Sequence, residues 1–146
     1  MSYVHSKFDE YIAILQVPNA TNSGNASVPV DVAGNWLPRA PRITANLGAS
    51  YETTLAAGKL AVSGNLFLSG KYFWEPGNRE QLKQSSYEVL NALASWTEPS
   101  ERFRFTVFGK NLTNQLYQLY VAPSRAGDRF SYQAQRTYGV RVEFFY

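Results

Sequence analysis

The chain has 146 residues, no cysteine and one histidine, and its formal charge of +3 comes from 14 Lys and Arg scattered singly among 11 Asp and Glu. This excludes a disulfide framework, a thiolate metal site and a cysteine nucleophile, and it leaves no basic block to follow a nucleic-acid backbone. Ten Tyr and nine Phe bias the chain towards strands, and no apolar run reaches the ~18–20 residues of a membrane helix, a test that barrel strands escape because they alternate lipid-facing and lumen-facing residues.

In chain order, Met1–Glu10 carries His5, Lys7, Asp9 and Glu10, so it is neither the apolar core of a signal peptide nor a membrane helix. Tyr3–Ile14 alternates loosely, Val4, Phe8 and Ile12 against Tyr3, His5, Lys7, Asp9 and Tyr11, and predicts a strand at 2–15. A long connection, Val17–Pro41, holds Pro38 and Pro41, which lack a backbone donor and suit a loop or the start of a strand. Arg42–Thr53 sets Ile43, Ala45, Leu47, Ala49 and Tyr51 against a polar face, predicting a strand at 42–54. After a short turn at Ala56–Lys59, punctuated by Gly58, the face Leu60, Val62, Gly64, Leu66, Leu68 opposes Ala61, Ser63, Asn65, Phe67 and predicts a strand at 60–73.

A medium connection with Pro76 and Gly77 leads to a strand at 85–97 whose phase is open. Facing Leu90, Ala92, Ala94 and Trp96 towards lipid puts Trp96 near a turn, where an interfacial aromatic belongs. A short turn around Pro99 precedes a strand at 102–111, with Phe103, Phe105, Val107 and Gly109 on its apolar face. Asn111 and Asn114 suit the left-handed or side-chain-bonded conformations with which a chain leaves a sheet. A long connection, Leu112–Gln135, ends in a strand at 136–146 that alternates Tyr138, Val140, Val142, Phe144 and Tyr146 with Gly139, Arg141, Glu143 and Phe145.

Connections thus alternate long and short, the habit of an antiparallel transmembrane barrel with short periplasmic turns and long extracellular loops. Tyr51, Trp96, Phe103 and Tyr146 gather at the short-turn ends, and Tyr72, Phe73, Trp74 and Tyr138 near the long-loop ends. At ~3.3 Å per residue and a tilt of about 40°, the eight residues from Tyr138 to Tyr146 cover roughly 20 Å of membrane depth, close to the spacing of two aromatic girdles.

Taken in order, Gly34-Asn35-Trp36-Leu37-Pro38-Arg39-Ala40-Pro41 before a strand, Gln84-Ser85-Ser86-Tyr87 with Asn91, Gly109-Lys110-Asn111-Leu112-Thr113-Asn114 with Tyr117, and the ending from Arg136 to Tyr146 resemble the last third of the TonB-dependent receptor barrel. The resemblance covers essentially the whole chain. It implies an all-β fold: an antiparallel transmembrane β-barrel segment of about six strands, an open fragment of a larger barrel in a bacterial outer membrane. Residues 1–146 are then its carboxyl-terminal part, with the plug domain and earlier strands of a barrel of about 22 strands lying elsewhere, and Met1 an internal methionine.

The implied parent is not an enzyme and needs no cofactor or bound metal of its own. It takes up a scarce ligand such as a siderophore, cobalamin or a glycan by TonB-energised transport. Its partners are outer-membrane lipid, the barrel assembly machinery, the remaining strands and plug, and TonB through the amino-terminal region only. The resemblance places the assembly signal on Tyr138, Val140, Val142, Phe144 and Tyr146, with Tyr146 where Phe is commoner. Arg42, Lys71, Arg104, Arg141 and Glu143 would line the lumen. Trp36, Arg39, Trp74, Arg79, Tyr117, Tyr120, Arg125 and Arg129 are the ligand-contact candidates, chosen because aromatic and Arg side chains dominate recognition surfaces.

Other readings are weaker. His5 stands alone, and adjacent Asp9 and Glu10 point to opposite faces of a strand, so neither makes a catalytic or metal site. Gly64–Lys71 has the wrong glycine spacing for a phosphate loop. The sequons at Asn19, Asn25 and Asn111 arise readily by chance. Arg125, Arg129, Phe130 and Tyr132 interleave cations and aromatics as a single-strand nucleic-acid surface does, yet fit a polar extracellular loop better. Two alternatives of other classes are a soluble small-ligand-binding β-barrel, which turns its apolar face inward, and a fragment of a passive porin.

Overall fold

Residues 1–21 and 23–146 are described by the structure, a computed structural model. In chain order the strands are β1 (Ser2–Tyr3), β2 (Ile12–Pro18), β3 (Asn25–Asp31), β4 (Ile43–Leu55), β5 (Gly58–Ser69), β6 (Tyr72–Phe73), β7 (Lys83–Gln84), β8 (Tyr87–Thr97), β9 (Phe103–Lys110), β10 (Gln118–Ser124), β11 (Gly127–Tyr132) and β12 (Thr137–Phe144). Among the described residues, the regular secondary structure outside the strands is one short 3-10 turn at Glu80–Leu82. Six strands form one sheet in the order β1-β4-β5-β8-β9-β12, and β2-β3, β6-β7 and β10-β11 form three two-stranded sheets.

Register shows which residues share a face, because directly opposed residues in an antiparallel pair point the same way. Between β9 and β12, Val107 opposes Val140, Phe105 opposes Val142 and Phe103 opposes Phe144. Between β8 and β9, Ala92 opposes Gly109, Ala94 opposes Val107 and Trp96 opposes Phe105. One apolar face therefore runs unbroken across three strands, and the open phase of β8 is resolved with Ala92, Ala94 and Trp96 on it. The other face carries Ser95, Thr106 and Arg141 in one row and Thr97, Arg104 and Glu143 in the next. The apolar face is bare, with Val107 53% and Val140 71% exposed, while Thr106 on the polar face is 4% exposed. A bare apolar face opposite a polar one is the pattern of a sheet whose outer solvent is hydrocarbon.

Two hairpin turns join strands at one end of this sheet. In the turn between β4 and β5, Ala56 and Ala57 both take positive φ, 50° and 61°, as a two-residue turn with the right twist demands. Gly58, expected to punctuate the turn, is instead the first residue of β5. A side-chain carbon there would run into the Trp96 indole and the Thr97 carbonyl, and the indole itself donates to the Leu55 carbonyl at 2.9 Å. At the other end of β9, Asn111 and Asn114 adopt φ of 51° and 53°. The Asn111 side chain donates to the carbonyls of Gln115 and Ala134 and accepts from the Gln115 amide, so it folds the departing chain back onto itself.

Three strand expectations need correction. The stretch 2–15 is not one strand: only Ser2 and Tyr3 pair with β4, and Ile12–Pro18 turns to pair with Asn25–Asp31 in its own sheet. The face expected to be apolar, Val4, Phe8 and Ile12, is not the buried one in β2: Ala13 and Leu15 are buried and Ile12 and Ile14 exposed. The strand expected at 60–73 ends at Ser69, and Tyr72–Phe73 pairs separately with Lys83–Gln84. The long connections also hold strands that the sequence reading passed over as loop: β3 within Val17–Pro41 and the β10-β11 hairpin within Leu112–Gln135.

The chain divides into two compact units. One comprises Met1–Thr44, Ser69–Tyr87 and Leu116–Gln133, essentially the long connections, and the other Ala45–Leu68, Glu88–Gln115 and Ala134–Tyr146, essentially the sheet. The first contains two small cores, one of Ala13, Leu15 and Val32 with Phe8, Val17 and Val30 around it, and one of Trp74, Leu82 and Val121 with Tyr72 against it.

Candidate functional site

Within the loop unit, the segment from Trp36 to Pro41 is kept out of regular structure by its two prolines, and Arg39 between them takes a left-handed φ of 57°. Its amide donates to the Phe73 carbonyl at 2.8 Å. A non-glycine residue in that region is strained, and such strain collects at binding sites. This backbone carries the Arg39 guanidinium over the Trp74 ring at 4.9 Å and the Tyr120 ring at 5.9 Å. Trp74 and Tyr120 meet edge to face at 6.5 Å, and Tyr72 lies 5.6 Å from Trp74. Trp74 belongs to the core with Leu82 and Val121, so its ring is a fixed shelf, whereas Arg39 and Tyr120 are exposed. Burial, with Tyr87 beside it, pushes the Tyr72 phenol up to about 12.

A second cluster braces the loops. Arg79 pairs with Glu75 through both Nε and a terminal nitrogen, and its other terminal nitrogen lies 3.6 Å from Asp128. Asn25 donates to the Asp128 carboxylate at 2.9 Å and to the Ser124 carbonyl at 2.7 Å. Glu75 is 5% exposed. Four residues from three separate connections are thereby closed around one guanidinium.

A third cluster centres on Trp36. Lys7 Nζ lies 4.9 Å and the Arg42 guanidinium 4.3 Å from its ring, and the His5 ring meets it edge-on at 5.1 Å.

The eight ligand-contact candidates thus fall into separate places. Arg39, Trp74 and Tyr120 come together, Trp36 forms its own platform, and Arg79 is occupied by two carboxylates. Tyr117 stacks on Tyr87 at 4.4 Å. Arg125 lies in the turn of the β10-β11 hairpin, where its carbonyl accepts from the Asn25 amide, and Arg129 opposes Ala122 in β11, both with exposed side chains. Lys7, Tyr72 and Tyr87 were not singled out as ligand contacts from the sequence, and Arg42 was read as a lumen residue; only aromatic spacing around the strand ends hinted at the tyrosines. Among the described residues no three His, Asp or Glu gather as a metal site.

On the sheet unit, Tyr138, Val140, Val142 and Phe144 share the bare apolar face, and Tyr146 lies beyond the end of β12. The opposite face forms a groove lined by Ser63, Asn65, Thr106, Phe108 and Arg141. An open antiparallel sheet with one bare apolar face and one polar face, its strands joined in turn by short and long connections, is a segment of a transmembrane β-barrel. The family described as TonB dependent receptor-like, beta-barrel, matches residues 3–114, and the chain belongs to it. Among solved structures, the ferric yersiniabactin uptake receptor FyuA from Yersinia pestis matches with a TM-score of 0.68 and 23% identity, over 84% of this chain and 20% of that one. BauA, the ferric preacinetobactin receptor from Acinetobacter baumannii, matches with a TM-score of 0.63 and 26% identity, over 77% of this chain and 16% of that one. The chain thus spans a fifth or less of the length of these receptors.

Proposed function

We propose that residues 1–146 are the carboxyl-terminal, membrane-spanning part of an outer-membrane receptor whose full-length form imports a ferric chelate by TonB-energised transport. The plug and the earlier strands belong to the rest of the parent, and TonB is engaged through its amino-terminal region. Outer-membrane lipid covers the apolar face, and the assembly machinery reads Tyr138, Val140, Val142, Phe144 and Tyr146. No covalent chemistry is involved.

The observation that carries this reading is the exposed Arg39 guanidinium held over a fixed Trp74 ring beside exposed Tyr120, with no carboxylate paired to it among the described residues. A cation on an aromatic shelf suits an anionic, ring-bearing chelate better than a neutral glycan. That both similar receptors are named for ferric ligands supports the same choice. The bare apolar face speaks against the soluble calyx, which would bury it.

The test is uptake of radiolabelled ferric chelates by iron-starved cells carrying the full-length parent. Uptake that stops without TonB, and chelate binding that weakens about 5–30-fold in Arg39→Ala, in line with a partly desolvated cation–aromatic contact of about 1–2 kcal/mol, are expected. Import of cobalamin or an oligosaccharide but of no ferric chelate would refute the ligand assignment.

A further inference from the structure

We propose that Gly24 and Asn25 form a latch between the tips of the β2-β3 and β10-β11 hairpins, and that this latch positions Tyr120 against Arg39. The two hairpins belong to different connections, β1 to β4 and β9 to β12, with the connection from β5 to β8 between them in sheet order. The latch stands on its own geometry; only its value for uptake rests on the receptor reading.

Asn25 reaches the other tip with three hydrogen bonds. Its amide donates to the Arg125 carbonyl at 2.9 Å, and its side-chain nitrogen donates to the Ser124 carbonyl at 2.7 Å and the Asp128 carboxylate at 2.9 Å. Among the described residues, the hydrogen bonds between these two connections all start at Asn25. Gly24 permits the approach: its φ is 143°, and a side-chain carbon there would run into the Arg125 carbonyl oxygen. Each tip is also stiffened from within. The Asn19 amide donates to the Gly24 carbonyl at 2.9 Å and the Asn19 side chain accepts from the Ser23 amide at 3.0 Å, while the Ser124 hydroxyl donates to the Gly127 carbonyl at 2.8 Å. Little ordering therefore opposes the three bonds.

Arg39, Trp74 and Tyr120 come one each from the three long connections, so their cluster needs all three held together. The Arg39 amide on the Phe73 carbonyl ties the first connection to the second. The β10-β11 hairpin is tied to the second near its base, by Val121 in the core with Trp74 and Leu82 and by the Gln118 amide on the Gln84 side chain at 2.7 Å. A two-stranded hairpin held only there can pivot, carrying exposed Tyr120 off Arg39. The 5.9 Å contact between those two is exposed, and such contacts are too weak to stop it. A second fixed point is needed at the tip. Arg79 approaches Asp128 there at 3.6 Å, longer than a hydrogen bond, whereas all three bonds from Asn25 have full hydrogen-bond geometry. Tyr120 and Ser124 lie on the same strand, so what fixes one fixes the other.

Two measurements on the full-length parent in detergent test the latch without any ligand. Spin labels at exposed Ser27 and Arg129 report the distance between the hairpins, and a fluorotyrosine at position 120 reports, through its fluorine resonance, the Trp74 ring and the Arg39 charge beside it. The latched receptor is expected to give one narrow distance and one fluorine line displaced from its position in urea. Asn25→Ala and Gly24→Ala should each broaden the distance and move the line towards the urea position, and Asn25→Asp, which keeps the size but loses the donor, should do the same. The same probe at position 51 on the sheet should not move, and any one variant answers the question should the others fail to fold. A distance already broad in the unsubstituted receptor, or one that stays narrow in the variants, would overturn the latch. A broadened distance with an unmoved line at position 120 would overturn the positioning role. A receptor that shows both effects yet imports no ferric chelate would keep the latch and remove the uptake reading.

Discussion

Arg39 and Arg79 are both loop arginines, and what surrounds each separates their roles. Arg79 neutralises two largely buried carboxylates, Glu75 and Asp128, with only 14% of its own side chain exposed. Arg79→Ala would leave those two acids facing each other without a cation, and breaking a buried pair from one side costs about 3–5 kcal/mol. The expected result is rapid cleavage of the Glu75–Gln84 and Gln118–Tyr132 segments by added protease in the folded parent, with the sheet intact; unchanged protection would show that the brace is dispensable. Arg39 has no such duty, so its loss belongs to binding. Sequence alone marked both residues for the same reason, their type. It did not separate them, because only Glu75, four residues before Arg79, is a local partner; Asp128, which Asn25 holds from 103 positions away, is remote, and no local pattern encodes that part of the brace.

At the level of elements, alternation located the ends of β4, β8, β9 and β12 to within a few residues, because each of these strands has one apolar and one polar face and a slip of one residue would exchange them. The loop hairpins were harder to read. In β3 the alternation of Val28 and Val30 is interrupted by Pro29, which argues against the interior of a ladder, yet Pro29 opposes Ile14 in a two-stranded sheet where every strand is an edge. The turn at Ala56-Ala57 was located but its chemistry was misassigned to Gly58. Left-handed φ at an alanine costs about 1 kcal/mol, so Ala57→Gly should stabilise the β4-β5 hairpin by that order. Gly58→Ala should destabilise it by forcing Trp96 off the Leu55 carbonyl. Urea unfolding of the full-length barrel in detergent measures both, and equal effects of the same sign would contradict this division between turn and packing glycine.

For the molecule as a whole, the six-stranded sheet has β1 and β12 at its edges, and within lipid each unpaired backbone group costs several kcal/mol. In the proposed parent the remaining strands of a larger barrel would satisfy both edges, an arrangement that leaves fewer unpaired groups than a free-standing sheet. The central claim is that the sheet spans the outer membrane with its long connections outside and its short turns in the periplasm. Because the chain lacks cysteine, one introduced thiol reports its own position above the background of the unsubstituted parent. Arg125→Cys lies in a long connection and Ser100→Cys in a short turn. Treating intact cells with a membrane-impermeant maleimide should label the full-length parent at position 125 and leave position 100 unlabelled until the outer membrane is permeabilised. Labelling of both positions in intact cells, or of position 100 alone, would contradict the account.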